Sequence, residues 1–483
     1  MSADVDGFSS ATAMLEALRA KQVSAVELLE LHLDRIERLN GPINAIVVKD
    51  YDRARQAAQA ADAARARGED GKLLGLPLTI KDSIDVEGLP STAGVSDRAA
   101  HRAEGDAALV ARVRAAGAVI VGKTNIPPML TDWQSDNPVY GRTNNPWNLE
   151  RTPGGSTGGG GAALAAGLTP LEFGSDIGGS IRNPASWCGV YGHRPSSGVV
   201  PLSGHFPGSS LPNPVQLLGV VGPLARSADD LDLALDVVAG PDVGEDVAWR
   251  LELPPPRHTR LSDFRVAVLP SIPWLPVSSE MLGAIEQMRT ALCQAGARVE
   301  EAQPDGLGDL REHHDLYLSL LTAIVNQRRP EESRALAAKM REAGGMFAEA
   351  HACGVEATAQ DYLVWHGRRE AFRAMWRTFF REWDVLLAPI AVVPAPPHTT
   401  VPTRDRVTDV NGRSVSFTAQ LAFPALSVLT GQPATAFPVG LSADGLPVGL
   451  QGIGPYLEDR TTIRFAGLMG EAVGGFRRPP GYD

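Results

Sequence analysis

The chain has 483 residues, 43% of them hydrophobic and 21% charged, which is ample material for a large buried core. Its formal net charge is −11 and its basic residues form no stripe, so nothing in it offers an electrostatic footprint for nucleic acid. The three cysteines, Cys188, Cys293 and Cys353, are odd in number and far apart, which speaks against a disulfide framework and fits a reducing cytoplasm.

The first residues, MSADVDGFSSATAML, lack a basic stretch followed by an apolar one, and no apolar run reaches about 18 residues. Neither a secretory leader nor a membrane span is expected. Residues 10–40 read as two helices, with Ser24 and Glu27 forming a capping box ahead of Val26, Leu28, Leu29, Leu33 and Ile36. Residues 51–67 are rich in Ala and Arg and read as a third helix. GLPLTIKDSIDVEG is a strand-like run that carries Lys81 and ends in turn residues. Asp106 is expected to cap a helix reaching about Ala116, and AVIVGKTN reads as a buried strand. This alternation suggests an α/β sheet covered on both faces.

From 134 to 212 the chain is dominated by Gly, Pro, Ser, Asn and Thr. A structureless loop of that length is abnormal inside a compact domain. Short elements are therefore expected: a helix over Ala162–Ala166 and strands in LEFGSD and GVYGHRP. Beyond it, residues 225–239 read as helix, FRVAVLP as strand, 278–297 as helix, and 309–383 as two or three long helices with aromatic faces. WDVLLAP reads as strand and APPHTTVPTRDRVTDVNGR as a surface loop. LTGQPATAFPVGLSADGLPVGLQGIGP reads as strands joined by turns, followed by a helix from Asp459. There is no internal repeat.

Of 45 basic residues six are lysine: Lys21, Lys49, Lys72, Lys81, Lys123 and Lys339. The main thing Lys can do that Arg cannot is lose its proton. A chain that otherwise prefers Arg directs attention to these positions.

GGSTGGGG, residues 154–161, is the most unusual stretch. A flexible linker does not suit its hydrophobic flanks. A phosphate loop needs a Lys after the glycines, or an acidic residue on a following strand. Gly154 to Gly158 matches the GxSxG nucleophile elbow, but WNLERTP is a poor preceding strand. His193, His205, His313 and His366 also stand in no recognisable context for a base. A second Gly-Gly-Ser follows at Ser180, in GSDIGGSIRNPASWCG, flanked by Asp176 and Arg182.

Lys81 in GLPLTIKD, Ser156 in GGSTGGGG and Ser180 in GSDIGGSIRNP, in that order, resemble the amidase signature family. VGKTNIP, NNPWN, GPLARSADDL and GLPVGLQGIGP extend the resemblance over about residues 10–240 and 415–470. Residues 245–410 match loosely and are expected to form a variable helical region around the substrate pocket of a single domain, 1–483. The resemblance implies the amidase signature fold, an α/β structure with a large twisted mixed β-sheet covered by helices on both faces. It also implies a Ser-cisSer-Lys triad, with Ser180 as nucleophile, Ser156 as bridge after a cis Gly155–Ser156 bond, and Lys81 as base. A Ser hydroxyl needs a base to attack a carbonyl. A Lys can serve only if burial or positive neighbours bring its pKa down from about 10.4. Backbone N–H groups of Ile177, Gly178, Gly179 and Ser180 are expected to hold the oxyanion, with Gly155, Thr157, Asp176 and Arg182 supporting the loops.

Three departures stand out. Thr157 replaces the family's second Ser and keeps a hydroxyl. The usual Gly-Leu-Lys-Pro-Thr after the nucleophile reads GHRPS, which gives His193 and Arg194 new surroundings. Pro128 stands where a Glu often follows. The segments SDNPVYG and GSDIGGSIRNP look closest to the aryl acylamidase and fatty acid amide hydrolase branches. A stand-alone serine amidohydrolase without a cofactor or metal is expected, cleaving the C–N bond of a small apolar or aryl amide, with esters and carbamates open to the same chemistry. The alternatives are the A subunit of a glutamine-dependent tRNA amidotransferase, or an inactive binding protein of the same fold. His313 and His314 are adjacent and point to different faces of a helix, and no HExxH or CxxC occurs. Met129, Leu130, Trp133 and Phe206 are expected at the substrate pocket. The protein is expected in the cytoplasm, possessing no nucleic-acid or membrane partner, and as a homodimer.

Overall fold

The apolar runs become strands of one eleven-stranded sheet in a computed structural model that describes residues 5–205, 218–326 and 329–483. In spatial order the strands are Ile46–Lys49, Val119–Thr124, Pro77–Lys81, Leu171–Asp176, Val220–Ala225, Tyr191–Arg194, Ala434–Leu441, Pro447–Ile453, Val385–Pro389, Arg265–Val268 and Arg298–Glu301. Pro77–Lys81 and Arg265–Val268 run parallel to both of their neighbours, and the other pairings are antiparallel. The sheet is thus mixed. The loosely matching middle of the chain supplies three of its strands as well as helices.

Pro77–Lys81 is buried at every residue, as a strand with parallel neighbours on both sides should be. Its continuous apolar reading follows from that position. Thr79 is in register with Glu172 and Ile80 with Phe173, so Lys81 and Ser175 come together at the carboxyl ends of adjacent parallel strands. Sites in open α/β sheets gather at such ends.

The Ser24–Glu27 capping box is present at the start of Ala25–Ile43. Asp106 does not cap the helix that follows it, which is Ala108–Ala115 with Ala107 at the N-cap. Its carboxylate instead accepts from the Glu87 N–H at 2.8 Å and pairs with Arg114 at 2.7 Å. The 309–383 region holds four helices among the described residues: Arg311–Val325, Pro330–Ala343, Ala348–Glu356 and Ala359–Glu382. Gly344 and Gly345, both at positive φ, end the second, and a Thr358–Asp361 capping box starts the fourth. Their aromatic faces close a second core with Trp274, Tyr317, Phe347, Trp376 and Phe380. The expected loop after Pro396 contains a short hairpin, Val407–Val410 with Arg413–Ser416, turned by Asn411-Gly412 at positive φ.

The glycine run also differs from its sequence reading. The helix expected from Ala162 begins at Gly158 and is buried along its whole length. A Cβ at Gly159 would lie 2.7 Å from the Ala45 carbonyl, and one at Gly160 2.5 Å from Glu172. Glycine costs about 1 kcal/mol relative to Ala in a helix. Close approach to the neighbouring backbone and to Glu172 leaves no room for anything larger.

Candidate active site

Three loops meet at the carboxyl ends of Pro77–Lys81 and Leu171–Asp176. Lys81 Nζ lies 2.8 Å from Ser156 Oγ, 2.9 Å from Thr157 Oγ1 and 2.9 Å from Ser175 Oγ. The whole Lys81 side chain is buried, and no carboxylate among the described residues touches it. Burial drives its pKa down to about 7, opposed by the charges of Asp176, Glu172 and Asp82. Glu172, one strand over, is buried and accepts from Thr124 Oγ1 at 2.6 Å. Burial pushes its carboxyl up to about 7, against the Thr124 hydrogen bond and the charge of Lys81.

The Gly155–Ser156 peptide bond is cis. Gly155 passes against the backbone of Asp132 and Trp133, where a Cβ would not fit. Thr157 N–H donates to the Ser180 carbonyl at 3.1 Å, which fastens the Ser156 loop to the Ser180 loop. Ser180 is buried, with 5% of its surface exposed.

Asp176 and Arg182 form a two-armed ion pair with no exposed surface: Arg182 Nη2 to Oδ1 at 2.8 Å and Nε to Oδ2 at 3.0 Å. Burial alone would raise the Asp176 pKa. The Arg182 guanidinium, helped by Arg194 and the Ile181 N–H, holds it at about 2. Arg194 Nε stands 4.0 Å from Asp176, and its other nitrogens donate to the carbonyls of Pro195, Gln432 and Leu218. His193 lies on the far side of the same strand pair, between Thr435 Oγ1 at 2.9 Å and Asp459 Oδ1 at 3.1 Å. Both residues of the GHRPS departure are therefore buried bracing groups.

The same carboxylate orders the loop from 177 to 182. It accepts from the N–H groups of Gly179 at 3.0 Å, Ile181 at 3.1 Å and Arg182 at 3.4 Å. Of the four N–H groups expected at the oxyanion, Gly179's is therefore engaged. Those of Ile177, Gly178 and Ser180 have no hydrogen-bond acceptor among the described residues.

The expected pocket residues separate. Met129 is exposed and Leu130 half-buried, on a surface turn where both have positive φ. Trp133 is buried, and its Nε1 donates to the Gly178 carbonyl at 3.0 Å. It also lines a cavity of about 680 Å³ together with Trp187, Phe417, His398 and Arg151. Phe206 lies outside the described residues. Lys123 is buried against the Pro90 carbonyl and Ser91 Oγ, away from the two serines. Sequence reasoning missed Ser175, Glu172 and Tyr317. The strand LEFGSD beside the Lys81 strand carried the signal for the first two, while Tyr317 lies 140 positions from its partner Ile177 and left none. Among the described residues no helix is long and apolar enough to cross a membrane.

Residues 27–463 match the family model named Amidase, and the chain belongs to that family, the amidase signature enzymes. It is an amidohydrolase, an enzyme that cleaves amide C–N bonds. An indoleacetamide hydrolase of Bradyrhizobium diazoefficiens is 34% identical over 459 residues, covering 93% of this chain and 84% of that protein. An acylamidase of Rhodococcus erythropolis is 32% identical over 479 residues, covering 95% and 94%. The solved structure of a bacterial aryl acylamidase of the same family matches with a TM-score of 0.79 at 26% identity, over 96% of each chain.

Proposed function

We propose that this amidohydrolase works through a Ser180–Ser156–Lys81 triad on a small apolar or aryl amide. The observation that carries the reading is the surroundings of Lys81: fully buried, held near neutrality, and touching three hydroxyls. A neutral amine has two N–H groups and one lone pair. Thr157 and Ser175 can accept the two N–H groups, which leaves the lone pair for the Ser156 proton. Ser156 in turn takes the proton of Ser180 as Ser180 Oγ attacks the carbonyl carbon. The C–N bond then breaks, the proton returns through Ser156 to the leaving nitrogen, and the acyl group remains on Ser180. Water, activated by the same relay, releases the acid and regenerates the serine. The oxyanion is met by the free N–H groups of the 177–180 loop.

The substrate class is supported by relatives named for indoleacetamide and aryl acylamide hydrolysis; the cavity edged by Trp133, Trp187 and Phe417 is not lined by Lys81, Ser156 or Ser180. Esters and carbamates undergo the same acyl-enzyme chemistry and belong in the substrate panel. The amidotransferase subunit is not favoured, since RPSSGVV stands where its Lys-Pro-Thr-Tyr-Gly-Arg segment would be.

The test is a serine-directed alkyl fluorophosphonate followed by mass spectrometry of the adduct. The expected label is on Ser180. Labelling of Ser156 and never of Ser180 would reverse the two roles. No label and no turnover on anilides, aliphatic amides and carbamates would mean an inactive protein.

A further inference from the structure

The loop that carries Ser180 has its peptide planes held one by one. In a trans peptide the C=O and the following N–H point in opposite directions, so whatever grips the carbonyl also aims the N–H. Only Gly155–Ser156 is cis among the described residues, so each plane from 177 to 181 obeys this. The Gly179 carbonyl accepts from the Asn183 N–H at 2.6 Å, and the Ser180 carbonyl accepts from the Thr157 N–H at 3.1 Å. Those two grips are backbone and local to the two motifs. The other two are not. The Ile177 carbonyl accepts from the Tyr317 hydroxyl at 3.0 Å, and the Gly178 carbonyl from Trp133 Nε1 at 3.0 Å.

We infer that Tyr317 and Trp133 are positioning residues that clamp the oxyanion loop from outside, Tyr317 aiming the Gly178 N–H at the developing oxyanion and Trp133 aiming the Gly179 N–H at Asp176. The inference rests on the proposed role of Ser180.

Several features single out Tyr317. It is fully buried, on helix Arg311–Val325. A Cβ at Gly178 would lie 3.0 Å from its hydroxyl, so the loop passes directly over it. Burial pushes its hydroxyl above the ordinary tyrosine range, which keeps it a donor at any working pH. Its ring stacks on His314, 5.7 Å away and inclined by 19°, and His314 Nε2 is 2.8 Å from the Thr418 carbonyl. The ring therefore has little freedom to leave. Trp133 is braced in the same way by edge contacts with Trp187 and Phe417 at 5.7 and 5.5 Å. The Ile177–Gly178 plane has no other carbonyl grip among the described residues. Gly178 has no side chain to resist rotation, so without Tyr317 the plane can turn and carry its N–H away.

The test uses Tyr317→Phe, which removes one oxygen and keeps the ring, and an alkyl fluorophosphonate, which needs no knowledge of the natural substrate. Ser180 Oγ forms a bond to phosphorus, the P–F bond breaks, fluoride leaves, and the serine proton passes to Lys81. The transition state puts negative charge on the phosphoryl oxygen, so the maximal labelling rate reads the oxyanion donors while the half-saturating concentration reads binding. Losing one oxyanion donor outright typically costs about 10²–10³-fold. A loosened donor should cost less. The expected result is a labelling rate roughly 10-fold lower, half-saturation within about twofold, full final stoichiometry, and a thermal midpoint close to the parent. Trp133→Phe, which keeps an aromatic ring without the N–H, is expected to slow labelling in the same direction. A Tyr317→Phe labelling rate within about twofold of the parent overturns the clamp. So does a loss confined to half-saturation. If Tyr317→Phe fails to fold, the Trp133→Phe rate decides. Ser180→Ala is run in parallel. If that variant still labels or turns over substrate, the Ser180 assignment fails, and this outcome is distinct from a fast Tyr317→Phe enzyme whose label sits on Ser180.

Discussion

Lys81 and Arg182 are both fully buried basic side chains at the same pair of serine loops, and the fold treats them in opposite ways. Arg182 receives a two-armed carboxylate, and its Nη1 also meets Ser427 Oγ at 2.9 Å and Gln451 Oε1 at 2.6 Å. Lys81 receives three hydroxyls and, among the described residues, no carboxylate. A buried charge must be paired or must neutralise itself. The first pocket takes the pairing route and becomes a rigid brace. The second takes the neutral route, as the proposed base must. On that proposal burial alone does not mark the reactive basic side chain. The kind of oxygen around it does.

Removing each partner should separate the two pockets. Lys81→Ala is expected to lower kcat by on the order of 10⁴-fold or more, as does Ser180→Ala, because residues that act as a unit fail together. Both variants should keep a cooperative thermal transition. Lys81→Ala with parental kcat would break the relay. Asp176→Asn strikes the other pocket and leaves Arg182 buried without its anion. Breaking such a pair costs about 3–5 kcal/mol, visible as a lower denaturant midpoint. The sign with pH follows from the Asp176 carboxyl, held at about 2 against 3.8 unfolded. Its stabilisation is present above pH 3.8 and is lost as the pH falls from there through about 2. A parental midpoint in Asp176→Asn would show that the brace contributes little.

The Lys81 pocket should also declare itself in the pH profile. The amine must be neutral to act, so kcat/KM is expected to rise through about pH 7 and level off above it. Glu172 favours the charged amine, so Glu172→Gln should move this limb to lower pH, by less than about one unit. A shift to higher pH would contradict the assigned electrostatics. The smallest effect is expected from Ser175→Ala. One hydrogen bond is worth about 1 kcal/mol, so a loss of roughly fivefold in kcat/KM with the limb still near neutrality is expected.

Much of this was legible because the chemistry sits in short motifs. Lys81 follows an apolar strand, so its burial could be read from LPLTI alone. Asp176 and Arg182 flank Ser180 within one segment, and the ion pair joins them across a single tight loop with Gly179 at φ +91°. The capping boxes at Ser24 and Thr358 are local, and the first was read without any fold. Asp106 failed as a cap because Glu87, brought near by the fold, and Arg114, on the following helix, compete for its carboxylate.

By itself, then, the sequence determined which residues carry charge, hydroxyl and glycine, and which runs are strand or helix. The reason is that propensity and local hydrogen bonding act over a few residues. Only the tertiary structure decided the rest. The glycine run starts a buried helix, and it is glycine there because Ala45 and Glu172 leave no room for a Cβ. Lys81 sits among hydroxyls because Leu171–Asp176 is its parallel neighbour. The 177–180 loop is gripped by Tyr317 and Trp133 because the packing of helix Arg311–Val325 and of the loop after Pro128–Leu130 brings them there. These contacts depend on the directions of groups far apart in the chain, and no local pattern encodes them.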